Sequence, residues 1–139
     1  MFKKILLAFD GSEHSFRTVA KAIDIAKLTQ DSKVEVLYVL SDETSKSEVI
    51  NLWEAEGIKE DRLERFKLAE EAAAQNGIDY EIKFLRGEPE EKIVQYANEN
   101  SIDMIIMGSR GLNPFQSMIL GSVSHKVMKR ATCPVMVVK

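Results

Sequence analysis

Short apolar runs alternate with longer amphipathic ones along this chain. Residues 4–9 are almost continuously apolar, the pattern of a strand buried on both faces. Asp10-Gly11-Ser12 closes that run as a turn, with Ser12 placed as the cap of a following helix and Glu13 in its first turn. Phe16, Val19, Ala20, Ile23 and Ala26 then recur at helical spacing. A second strand is predicted over residues 33–40. The polar stretch 41–59 reads as a loop leading into a helix over 61–75, with Leu63, Phe66, Ala69 and Ala73 on one face and Asn76-Gly77 as its stop. A third strand is predicted over 79–85. Gly87-Glu88-Pro89 then turns the chain into a short helix carrying Ile93, Val94 and Ala97. Residues 102–107 form a fourth apolar run, 122–130 a last helix, and Pro134 to Val138 a closing strand.

Strands that alternate with helices imply right-handed crossovers and a parallel sheet covered by helices on both faces. The expected class is α/β, a five-stranded parallel sheet of Rossmann-like type, with one domain spanning residues 1–139. In strand order 3-2-1-4-5, the first and fourth strands are neighbours at the point where the order reverses. Ligands of open parallel sheets bind beyond the carboxyl ends of the strands at that point.

Composition narrows the function classes. The formal net charge of −3 argues against a general nucleic-acid or anionic-membrane binder. Cys133 is the single cysteine, so no disulfide forms within the chain, and a reducing cytoplasm is the expected setting. No apolar run approaches the length of a membrane span, and the opening run is too short for a signal peptide.

The candidate chemistry lies after the fourth strand. There the chain reads Gly108-Ser109-Arg110-Gly111, continues through nine residues without Lys or Arg, and then reads Gly121-Ser122-Val123-Ser124. Glycines allow close backbone approach to a ligand. Gly121-Ser122 opens a helix, whose free N–H groups and partial positive charge suit phosphate. Ser122 and Ser124 add hydroxyls, and Arg110 a formal charge. The pattern is neither a P-loop nor a G-x-G-x-x-G fingerprint.

The spacing Gly108-x2-Gly111-x9-Gly121-Ser122 resembles the ATP-binding signature of the universal stress protein family. The opening Lys4–Ser12 segment and the ending Ala131-Thr132-Cys133-Pro134-Val135-Met136-Val137-Val138 resemble that family's first strand with its acidic turn and its last strand. The resemblance covers essentially the whole chain. It implies an adenine nucleotide alpha hydrolase-like fold and a stress-response regulator that holds ATP, or ADP or AMP, with little or slow hydrolysis. By the same resemblance Asp10 lies near the ribose or, through magnesium, near the phosphates. The backbone of Val39 faces adenine, and Met107 and Gly108 flank the ribose and the adenine edge. Gly111, Gly121, Ser122 and Val123 offer donors to the phosphates with Ser124 close by. A homodimer through Pro134 to Val138 is implied as well. Apart from the resemblance, Ser12 and Arg110 are candidate phosphate contacts, with a helix cap the commoner role for Ser12 and a solvated loop charge that for Arg110. The loop between Gly111 and Gly121 departs from the family by lacking basic residues, and Tyr38 stands where a histidine is frequent.

Two other functions compete. A slow ATPase or nucleotidyl transferase needs more than the one carboxylate of Asp10. A nucleotide-free dimeric interaction module does not need the glycine spacing. His14 and His125 lack companions at metal-ligand spacing, and His125 is expected to pack within its helix. Cys133 reads as a buried, inert thiol, and the methionines, Met104, Met107, Met118, Met128 and Met136, as core filler.

Overall fold

A computed structural model describes residues 2–9, 13–40, 58–108 and 122–139. In chain order the elements are β1 (Lys4–Ala8), α1 (Glu13–Ala26), β2 (Lys33–Leu40), α2 (Ile58–Gln75), β3 (Asp79–Arg86), α3 (Pro89–Glu99), β4 (Met104–Gly108), α4 (Ser122–Arg130) and β5 (Val135–Val138). The five strands form one parallel sheet in the order β3-β2-β1-β4-β5. This is the expected class and order.

The apolar runs are continuous because the central strands are covered twice. Ile5, Leu6 and Leu7 of β1 are completely buried. Successive side chains point to opposite faces, so one strand feeds two cores. On one face Ile5, Leu7, Val34, Val36 and Ile106 pack with Val19, Ala22, Ile23 and Ala26 of α1 and Ala69 of α2. On the other face Leu6, Leu37, Ile105 and Met107 pack with Ile93, Tyr96 and Ala97 of α3 and Val127 of α4.

Element ends follow local chemistry. At the close of α2, Gly77 takes φ 67°, and its N–H donates to Ala74 while the Ile78 N–H reaches back to Ala73. That is the Schellman arrangement, with Ile78 packed against the core behind it. Gly87 takes φ 137° before Pro89 opens α3. The fourth strand starts at Met104 rather than 102. Ile102 is still held by its N–H to Ala97, and the Asp103 carboxylate accepts from the N–H groups of Lys3 and Lys4. The last strand starts at Val135. Pro134 has no N–H to give, but its carbonyl accepts from Ile105.

Three expectations are corrected. Ala20 faces solvent, and Ala22 takes its place on the buried face of α1. His125 is exposed rather than packed. Met128 is 49% exposed and fills no core. The side chains of Phe16, Leu63 and Phe66, and all of Met118, lie outside the described residues.

Candidate functional site

The sheet opens where β1 and β4 part. β1 pairs with β4 at Ile5–Met104, Leu6–Ile105 and Leu7–Ile106, and the register goes no further. Beyond that point β1 leans to the other side: Ala8 pairs with Leu37, and the Phe9 N–H donates to the Leu37 carbonyl at 3.1 Å. Met107 and Gly108 continue β4 alone on the β1 side while pairing with Val137 and Val138 of β5. This divergence is the topological switch point at the carboxyl ends of the strands.

Three described elements deliver candidate residues there. Val39 lies one residue before the end of β2 and is half-buried, beside Leu85 of β3. Met107 is buried, its side chain in the core under α3 and α4. Gly108 is the buried last residue of β4 and carries no side chain on the opposite face. Ser122 opens α4, Val123 is half-buried, and Ser124 is 3% exposed. The Ser124 hydroxyl donates to the Gly108 carbonyl at 2.8 Å. The start of α4 is thereby tied to the end of β4. Asp10, Ser12, Arg110, Gly111 and Gly121 lie outside the described residues.

The donor set suits an anion. The first turn of α4 leaves N–H groups without intrahelical partners, and it carries no acidic residue. Lys126 on the same helix is engaged elsewhere, at 3.1 Å from Glu90 of α3. Glu90 is held below the ordinary carboxylate range, chiefly by its own backbone N–H at the start of α3 and further by Lys126. Among the described residues no group of three or more His, Cys, Asp or Glu is placed to hold a metal. Cys133 is half-buried, and burial pushes its thiol up, so it is a poor nucleophile.

Two features gave no signal in the sequence. The first is an ionic cluster under α3, gathered around the buried carboxylate of Glu35. Glu35 of β2 accepts from the Tyr96 hydroxyl at 3.1 Å and lies 3.5 Å from Lys83, whose ammonium sits 5.3 Å from the Tyr96 ring centre. Lys33 bonds Glu81 at 2.6 Å beside it. The second is an open hollow of about 490 Å³ lined by Lys27, Asp31, Ser32, Asn76 and Asp79. It lies at the amino ends of the strands, facing the C-termini of α1 and α2, opposite the switch point.

A parallel sheet in the order β3-β2-β1-β4-β5, with β1 and β4 diverging at the point where the order reverses, defines a doubly wound α/β protein. The particular kind follows from comparison: this chain belongs to the universal stress protein family, whose family model matches residues 1–139. It is 34% identical over 149 residues to universal stress protein YxiE of Bacillus subtilis, covering 100% of both chains. It is 40% identical over 141 residues to the universal stress protein in the QAH/OAS sulfhydrylase 3′ region of Thermus aquaticus, again covering 100% of both. The solved structure of hypothetical protein MJ0577 superposes with a TM-score of 0.79 at 28% identity, covering 100% of this chain and 96% of that one. A universal stress protein from Archaeoglobus fulgidus, solved in complex with dAMP, has the same fold (TM-score 0.73, 24% identity, 100% of both chains). No helix among the described residues is long and apolar enough to cross a membrane.

Proposed function

We propose that this chain acts as one domain over residues 1–139, a cytoplasmic regulator that binds an adenine nucleotide, ATP in the first instance, at the divergence of β1 and β4. One observation carries the reading. The segment Gly108-x2-Gly111-x9-Gly121-Ser122 begins on the last residue of β4 and ends on the first residue of α4. A glycine-bearing connection thus joins a switch-point strand to a helix N-terminus. The dAMP bound by the Archaeoglobus fulgidus protein is consistent with a nucleotide of this kind.

In this reading the backbone of Val39 faces adenine, and Met107 and Gly108 border the ribose. Gly111, Gly121, Ser122 and Val123 donate to the phosphates, with Ser124 beside them. Ser12 and Arg110 add outer phosphate contacts, and Asp10 meets the ribose or a magnesium ion on the phosphates. Hydrolysis is slow or absent, because one carboxylate provides neither a two-metal clamp nor a separate general base.

The chain further pairs with a second copy through β5. The two edges of the sheet differ in a way that favours this edge. β3 carries Glu81 and Lys83 in the ionic cluster, and charge discourages strand addition. β5 reads Val-Met-Val-Val and is half-exposed along its length.

Calorimetric titration with ATP, ADP and AMP, with and without magnesium, tests the binding. Saturable ATP binding at one site per chain, with turnover no faster than minutes, is expected. Multiple rapid turnovers abolished by Asp10→Ala would make it an enzyme. No binding of any of the three nucleotides would leave the interaction-module reading.

A further inference from the structure

We infer that Ser124 is a positioning residue, a clasp between β4 and α4, and not a ligand of the phosphates; this rests on the nucleotide reading above. Its hydroxyl is buried and donates to the Gly108 carbonyl at 2.8 Å, across sixteen positions of sequence. A serine hydroxyl has one proton. Spent on a carbonyl, that proton is not available to a phosphate. Phosphate oxygens at neutral pH are themselves acceptors, and the lone pairs left on Oγ repel them. Sequence reasoning placed Ser124 with the phosphate contacts because serines at a helix start usually donate there.

The bond has a consequence for binding. Gly108 ends the strand assigned to the nucleoside, and Ser122 and Val123 begin the helix assigned to the phosphates. The clasp fixes the distance between those two half-sites. A ligand that spans both gains from that fixed separation, as any two-point binder gains from correctly spaced sites. A ligand that occupies one half alone gains nothing from it. Loss of the clasp therefore weakens the whole nucleotide and spares its parts. Loss of a direct phosphate ligand weakens the phosphate part in step with the whole.

The test compares the wild-type chain with Ser124→Ala and Ser124→Thr, using ATP, adenosine and inorganic tripolyphosphate as probes in NMR titrations. Ser124→Ala is expected to bind ATP about tenfold more weakly, the factor one such hydrogen bond corresponds to. Its affinities for adenosine and for tripolyphosphate stay at the wild-type values, and Ser124→Thr, which keeps the hydroxyl, restores ATP binding. In the nucleotide-free chain, amide exchange of Gly108 and Val123 is expected to speed up together in Ser124→Ala. Equal loss of ATP and tripolyphosphate in Ser124→Ala overturns the inference, as does unchanged ATP affinity. Failure of the wild-type chain to bind ATP is a different result. It overturns the nucleotide reading itself, and the purpose assigned to the clasp with it.

Discussion

Tyr96 and Tyr80 both carry buried hydroxyls, and the two hydroxyls have opposite meanings. That of Tyr96 donates to Glu35, a carboxylate only 4% exposed. That of Tyr80 has no hydrogen-bond partner among the described residues, and burial raises its pKa well above the ordinary value. A bond to a charged group contributes about 1.5–3 kcal/mol, whereas an orphaned polar group costs about 1–3 kcal/mol. Tyr96→Phe is therefore expected to destabilise by about 1.5–3 kcal/mol. Tyr80→Phe is expected to be neutral or stabilising by up to about 1 kcal/mol. Urea unfolding midpoints check both, and a Tyr80→Phe loss as large as that of Tyr96→Phe would show a partner for the Tyr80 hydroxyl. Nothing in the sequence pattern announces either role. Glu35 and Tyr96 are 61 positions apart, and alternation along β2 marks a charged residue at that position as solvent-facing. Only the packing of α3 over β2 turns it inward.

Between elements, α3 and α4 meet through Glu90 and Lys126 on the same face of the sheet. The Glu90 carboxyl is depressed in the folded chain, so its stabilisation is fully present above the ordinary value of 4.5 and is lost as pH falls through the folded value. The largest single cause of that shift is its own backbone N–H, and the pair is partly solvated. Lys126→Ala is thus expected to cost no more than about 0.5 kcal/mol at neutral pH. The difference from the wild-type chain should vanish in acid, once Glu90 is protonated. An NMR titration of Glu90 with paired unfolding curves reads both quantities; a cost that persists in acid would assign Lys126 a packing role instead. Element boundaries were legible wherever an apolar run met a turn residue, as at Gly77 and Pro89. They shifted where a tertiary bond decided the end, as Asp103 does for β4 through Lys3 and Lys4. The start of α2 at Ile58 was hidden because its first residues sit in a polar stretch without a cap signal.

At the scale of the molecule, strand order and family were readable because three separated motifs lie in order on one regular β/α alternation. The glycine spacing pointed to the switch point, and the divergence of β1 from β4 gives that point its geometry. The clasp from Ser124 was not readable, since spacing does not say which way a hydroxyl turns. If β5 pairs with a second copy, sedimentation equilibrium at micromolar concentration should return about twice the chain mass of 15.7 kDa. A monomer at all concentrations would remove that part of the proposal and leave the nucleotide site standing. The central claim is the site itself, and thermal unfolding with and without Mg-ATP, on the wild-type chain and on Gly121→Asp, tests it most directly. A ligand that binds only the folded chain stabilises by about 2.7 kcal/mol at a hundredfold excess over its Kd, a rise on the order of 10 °C for a chain of this size. The account predicts that rise for the wild-type chain and none for Gly121→Asp, whose carboxylate would stand where the phosphates are assigned. Equal midpoints with and without nucleotide in the wild-type chain, or an equal rise in both proteins, would contradict it.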